Sequence, residues 1–228
     1  MHINVFLPCR KGSERVPKKN IKPFSGFNNG LVEVKLKQLL QAKSIDQIVL
    51  SSNDDEVLDY AYSLKESRIC LHHRVDGLSL SSTSTDELVA HALELIGEGD
   101  ILWTHVTSPF LSAALYEEII AKYKRVLEKG YDSLMTVNSI HGFLWNHQEP
   151  LNYDRGVEKW PRTQTLDPIF EVNSAVFLAN AEIYKKFSDR IGRQPYLYEL
   201  DKIQSMDIDW EEDFKIAQGM VDAGVVHI

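Results

Sequence analysis

Short apolar runs alternate along this chain with longer stretches of helical period, and that alternation restricts the fold more than any other feature. Residues 3–8 (INVFLP) are apolar on both faces, as a strand inside a parallel sheet must be. Residues 31–42 place Leu31, Val34, Leu36, Leu39 and Leu40 at helical spacing. The pattern predicts further strands at 47–52, 68–73, 100–106, 131–139, 169–179 and 202–209. Helices are predicted at 55–65, with Asn53 or Asp54 as cap, and at 86–97, 112–130, 180–190 and 210–224. Strands separated by helices of this length imply βαβ crossovers. The expected fold is α/β, a mostly parallel, doubly wound, Rossmann-like sheet within one domain spanning 1–228.

The rhythm breaks at 140–168, which holds Trp145, Trp160 and three prolines without a clean period. A segment of this kind serves as a substrate lid, a dimer arm or both. A net charge of −8 disfavours generic nucleic-acid and anionic-membrane partners, so none is expected. Cys9 and Cys70 have no spacing that pairs them, and no run approaches the roughly 18 apolar residues of a membrane span. With no secretory signal pattern at the N-terminus, the expected setting is cytoplasmic.

Against the acidic total stands one basic stretch, LPCRKGSERVPKKNIKPF, from Leu7 to Phe24. It carries six basic side chains, Arg10, Lys11, Arg15, Lys18, Lys19 and Lys22, against the single acid Glu14. Placed directly after the first strand, where open α/β sheets bind ligands, it calls for an anion such as a polyphosphate. The sequence has no G-x-x-x-x-G-K-[ST], no G-x-G-x-x-G after the first strand, no zinc spacing and no G-x-S-x-G elbow. The acidic counterpart is Asp207 and Asp209, which share one face of an extended segment and would suit Mg²⁺. Asp209 with Glu212 also fits a helix cap, so the pair is divided between structure and metal.

Taken together, R-K-G-S-E-R-V-P-K-K-N-I-K-P closely resembles the signature loop of the CMP-sialic acid synthetase (acylneuraminate cytidylyltransferase) family. Arg74 and Ser84-Thr85 resemble its nucleotide-side segment, and Thr107-Ser108-Pro109 its T-S-P turn. Arg162-x-Gln164 with Pro168 and Asn173 resembles its R-x-Q and E-N-G stretch, and Asp207-Ile208-Asp209 its metal-binding D-x-D. The family usually carries Gln-Pro before T-S-P, where this chain has His105-Val106, and Val172-Asn173-Ser174 replaces E-N-G.

The resemblance implies CMP transfer from CTP to the anomeric hydroxyl of a nine-carbon 2-keto sugar acid, with release of pyrophosphate and with Mg²⁺ as cofactor. It implies catalytic roles for Arg10, Lys19, Asp207 and Asp209. Nucleotide contacts would come from Leu7, Arg10, Gly12, Ser13, Lys19, Asn20, Arg74, Ser84 and Thr85. Acceptor contacts would come from His105, Thr107, Ser108, Arg162, Gln164 and Asn173, the metal would sit on Asp207 and Asp209, and the assembly would be a homodimer. Another sugar nucleotidylyltransferase using UTP or GTP, and a non-catalytic nucleotide-binding homologue, are the alternatives.

Overall fold

The computed structural model describes residues 2–228. Seven strands form one sheet: β1 (Ile3–Cys9), β2 (Gln47–Ser52), β3 (Ile69–His73), β4 (Asp100–Thr104), β5 (Ser133–Ile140), β6 (Ile169–Asn180) and β7 (Pro195–Glu199). Their order is β3-β2-β1-β4-β6-β5-β7. All run parallel except β6, which is antiparallel to both β4 and β5. Six helices flank the sheet: α1 (Gly30–Gln41), α2 (Asp55–Ser63), α3 (Thr85–Ile96), α4 (Ala113–Leu127), α5 (Ala181–Phe187) and α6 (Glu211–Asp222).

The double winding follows from strand alternation. Ile3, Val5, Leu7 and Leu102 point into a core with Leu31 and Leu36 of α1 and Ile119 of α4. Phe6, Ile101, Trp103 and Phe177 point the other way, against Val89 and Ala92 of α3 and Tyr184 of α5. Both faces of β1 are therefore covered, which explains its unbroken apolar run. Phe6 meets Trp103 edge to face at 4.7 Å between ring centroids.

From β1 the chain steps outward to β2 and β3, then returns through α3 to β4 on the other side of β1. This reversal leaves a crevice at the carboxyl ends of β1 and β4, the ligand position of open α/β sheets. The loop 10–29 crosses that crevice and packs tightly at its return. Gly30 has φ +63°, and a Cβ there would collide with the Lys22 carbonyl oxygen, so only glycine fits.

The structure corrects two of the expected elements. Residues 202–209 are not a strand: Asp201 Oδ1 accepts from the backbone N–H groups of Ile203 and Gln204 and starts a turn. The seventh strand is β7, which starts seven residues earlier, where Pro195 opens a sheet-edge strand at a position that spares its missing N–H. The predicted helix 180–190 ends at Phe187, because Ser188 takes up a left-handed φ of 52°. Residues 141–168 are irregular as expected, with a short 3-10 turn at Thr163–Thr165 and an isolated antiparallel bridge between Trp145 and Pro150.

Candidate active site

A cleft of about 470 Å³ opens at the crevice. Of the residues named from sequence, Arg10, Ser13, Lys19, Asn20, Arg74, His105, Thr107 and Asp209 line it. The basic loop and the C-terminal acids, at opposite ends of the chain, form one wall through direct bonds. Lys19 Nζ donates to the Ile208 carbonyl at 2.6 Å and lies 3.7 Å from Asp209 Oδ1. Arg15 Nη2 donates to the same Asp209 oxygen at 2.9 Å and stacks over Trp210. Lys22 pairs with Glu211 at 2.6 Å, and Lys18 with Glu56 at 2.6 Å. Asn20 Nδ2 donates to the Arg10 carbonyl at 2.9 Å and sets the loop's curvature. Arg10 has no ion pair among the described residues, so its guanidinium is available to a ligand.

Asp209 is not the helix cap that the sequence pattern allows. Trp210 is the N-cap, and Asp213 at the third helical position reaches back: its Oδ2 accepts from the backbone N–H of Asp209 at 3.0 Å and of Trp210 at 2.7 Å. The Asp209 carboxylate is thereby left to the loop cations. Between the two acids, Ile208 is buried, and its N–H donates to the Thr107 carbonyl at 2.8 Å. This bond fixes the acidic segment beside the turn after β4.

The opposite wall carries Arg74, only 2% exposed, with Nε donating to Ser79 Oγ at 3.0 Å. Burial pulls its pKa down. A buried guanidinium without an acidic partner is costly unless an anion completes it. Ser81 and Thr83 also line this wall, whereas Ser84 and Thr85 do not. Ser84 instead forms the capping box of α3, its Oγ accepting from Glu87 N at 3.2 Å while Glu87 Oε2 accepts from Ser84 N at 2.8 Å.

On the floor, Trp103 Nε1 donates to His105 Nε2 at 3.0 Å. An indole nitrogen can only donate, so Nε2 is an acceptor and the ring proton resides on Nδ1. Desolvation, then the charges of Arg190, Lys35 and Lys19, push the His105 pKa down to about 3. The ring is neutral across the physiological range. Ser108 is buried, and its carbonyl accepts from Lys35 Nζ at 2.7 Å. Lys35 is fully buried on α1, also donates to Tyr116 Oη at 2.8 Å, and is pushed by burial to about 7. Gln38 Nε2 adds a bond to the Pro109 carbonyl at 2.7 Å. The Thr107–Pro109 turn is thus held from beneath by α1.

The remaining sequence candidates lie outside the cleft lining. Leu7 is buried in the core, so only its backbone is free to meet a ligand. Gly12 sits in the loop with φ +79°. Arg162 and Gln164 are exposed on the irregular segment. Asn173 is a structural brace: its Oδ1 accepts from Thr136 Oγ1 at 2.6 Å and from Ala175 N at 3.2 Å, where the β5–β6 register slips.

The donor set fits a divalent cation of the hard kind. Desolvation and the Asp209 charge hold the Asp207 carboxyl above its ordinary range, while the Thr107 hydroxyl and Lys19 oppose this. Two close carboxylates relieved by a cation, with phosphate and water completing the shell, is the usual Mg²⁺ arrangement. No group of three or more His, Cys, Asp or Glu side chains stands ready to hold a metal among the described residues, so the protein supplies only part of such a shell.

Sequence reasoning missed Lys35 and Arg190, and named Arg15 only as one cation of the basic stretch. Lys35 was detectable, because it shares the i±4 apolar stripe of Leu31 and Leu39, where a lysine is out of place. Arg190 carries no local signal.

A doubly wound sheet whose switch-point cleft holds Arg10 and Arg74 without ion pairs defines an α/β protein with an anion-seeking site. The chain belongs to the cytidylyltransferase family, matching it over residues 5–221. It is 24% identical to N-acylneuraminate cytidylyltransferase A of Danio rerio over 229 residues, covering 96% of this chain and 51% of that protein. It is 31% identical to the pseudaminic acid cytidylyltransferase of Campylobacter jejuni over 117 residues, covering 51% of this chain and 49% of that protein. The chain thus spans about half the length of the curated relatives it matches. Its fold resembles that of CMP:2-keto-3-deoxy-manno-octonic acid synthetase solved with CTP, with a TM-score of 0.68, 12% identity, and coverage of 98% of this chain and 100% of that one. Among the described residues, no helix is long and apolar enough to cross a membrane.

Proposed function

We propose that this protein transfers CMP from CTP to the anomeric hydroxyl of a nine-carbon 2-keto sugar acid and releases pyrophosphate. The observation that carries this reading is the clamp of Lys19 and Arg15 on the Ile208–Asp209 segment, which joins phosphate-seeking cations to the Asp209 carboxylate in one cleft, with Asp207 two residues before it in the chain. The names of the relatives, acylneuraminate and pseudaminic acid cytidylyltransferases, supply the acceptor class.

The residues divide the work by charge. Arg10 and Lys19 bind the triphosphate and stabilise the negative charge that gathers on pyrophosphate as the bond to the α-phosphorus breaks. Arg74, with Ser81 and Thr83 nearby, orients the nucleotide from the opposite wall. Asp207 and Asp209 would hold Mg²⁺, which when bound neutralises phosphate charge and acidifies a coordinated hydroxyl. Arg162 and Gln164 are exposed on the irregular segment and outside the lining of the cleft, which suits a homodimer in which each segment serves the neighbouring site. A cytoplasmic setting accords with the CTP requirement.

The test is pyrophosphate release from CTP, UTP, GTP and ATP in turn, each with N-acetylneuraminic, legionaminic and pseudaminic acids and Mg²⁺. Turnover restricted to CTP with one of these acids is expected. Turnover with UTP or GTP alone, or none with any pair, would overturn the reading.

A further inference from the structure

Arg190 is an arginine without a partner. No hydrogen bond from its guanidinium and no ion pair is present among the described residues; the Asp189 carboxylate beside it accepts instead from the backbone N–H of Arg190, at 2.6 Å. The guanidinium lies 3.6 Å from the ring centroid of Phe177 and 4.9 Å from that of Trp103, a shelf formed where β4 and β6 pair Trp103 with Phe177. Stacking holds it flat but leaves its in-plane N–H donors unused. Tyr184, whose buried hydroxyl also lacks a partner, is close enough to influence its ionisation.

The same Trp103 reaches His105. Its indole N–H occupies Nε2 and so fixes the tautomer that carries a proton on Nδ1, in a ring that lines the cleft. Burial first, and then the charge of Arg190, keep the ring neutral, so the imidazole remains a single fixed donor. One rigid aromatic residue thus touches two donors, one charged and one neutral, of which His105 lines the cleft and Arg190 lies behind Trp103, outside the lining.

We propose that Arg190 and His105, set on the Trp103–Phe177 shelf, form an oxyanion subsite that recognises an acidic group of the acceptor. This deepens the cytidylyl-transfer reading and rests on it. A guanidinium fork with an adjacent N–H suits the paired oxygens of a carboxylate, and phosphate oxygens equally. The acidic group is either the acceptor's own carboxylate or an acidic substituent at its far end.

The experiment compares wild type, R190M and R190K with N-acetylneuraminate, its methyl ester and its 9-phosphate. R190M keeps the packing on Phe177 and loses the charge; R190K keeps the charge and loses the fork. Expected for R190M is a rise in acceptor KM of about tenfold or more, the equivalent of one charge-assisted bond, with the KM for CTP unchanged. R190K is expected to fall between the two. Loss of the wild-type preference for acid over ester assigns the carboxylate; loss of a preference for the phosphorylated sugar assigns the far end. An acceptor KM within about twofold of wild type for R190M on all three compounds, at equal thermal stability, would overturn the subsite. Saturation-transfer NMR of the same compounds, with CTP present, reads the subsite without turnover. Signal lost in R190M supports it even if no CMP is transferred, and no signal from wild type overturns it.

Discussion

Lys19 Nζ donates to the carbonyl oxygen of Ile208, a residue 189 positions away in sequence, across 2.6 Å. This bond ties the first loop of the fold to the last segment before its closing helix. Burial lowers the Lys19 pKa more than Asp209 and Asp207 raise it. The lysine therefore sits in a pocket that favours an added anion. Lys19→Met should reduce CTP affinity by about tenfold or more and lower unfolding stability by about 1–3 kcal/mol, because the Ile208 carbonyl loses its donor. Titration calorimetry at two salt concentrations checks the first effect: affinity should fall with salt less steeply in the variant than in the wild type. Thermal unfolding checks the second.

Asp207→Ala and Asp209→Ala should each abolish Mg²⁺-dependent pyrophosphate release. They should differ in their effect on the apo protein. Asp209 pairs with Arg15 and Lys19, so its loss frees two cations that repel each other, whereas no cation pairs with Asp207. The partly exposed pairs are worth little individually, about 0–1 kcal/mol each. Asp209→Ala should therefore bind CTP more tightly than wild type in the absence of Mg²⁺, since the freed cations attract phosphate. Calorimetry with EDTA present distinguishes the two variants.

The buried lysine beneath the Thr107–Pro109 turn gives a prediction with a definite sign. The Lys35 pKa falls from 10.5 in the unfolded chain to about 7 in the fold. Between these values the unfolded chain binds the extra proton, so stability rises with pH from about 7 towards 10.5 and is lowest below about 7. Lys35→Met should remove this slope and raise the melting temperature at neutral or lower pH. The same change frees the Ser108 carbonyl and loosens the turn that carries His105 and Thr107. Activity should fall while stability rises, a combination that melting curves and initial rates together detect.

Much of the fold was readable because strand and helix periods alternate cleanly from Ile3 to Leu127. Beyond that point the sequence is less explicit. β7 is a five-residue edge strand opening on proline, and the turn at Asp201 mimics a strand in composition. The basic loop and the Asp207–Asp209 pair were both visible, since each is a local charge pattern. Their bond to one another was not, because it depends on the sheet bringing the two ends together. The same holds for Arg190, which acquires meaning only from Trp103 and Phe177, residues paired across two antiparallel strands.

Ser84 shows how one pattern serves two readings. A serine before a helix suits either a nucleotide phosphate or a capping box, and here its side chain is committed to Glu87. Ser84→Ala should cost about 1 kcal/mol of stability, as loss of a cap does, with CTP affinity unchanged. Thr83→Val, at a position that does line the cleft, should show the reverse: reduced affinity at nearly constant stability. Denaturant unfolding and calorimetry on the pair separate capping from binding.

The irregular segment 140–168 presents apolar surface that a monomer has no reason to keep. Trp160 is 64% exposed and Val157 85%, and Arg155 stacks between Trp145 and Trp160 at 5.3 and 5.9 Å. Aromatic residues flanking an arginine are typical of the centre of a protein–protein contact. Sedimentation should therefore show a dimer, and Trp160→Glu should shift it to monomer. If the segment serves the neighbouring cleft, Arg162→Ala and Asp209→Ala damage opposite halves of a shared site. Each variant alone should be inactive, and mixing the two under conditions that allow subunit exchange should restore activity, because one site of each mixed dimer carries neither change. Recovery absent from a demonstrably exchanged mixture would place Arg162 in its own subunit's site or in none.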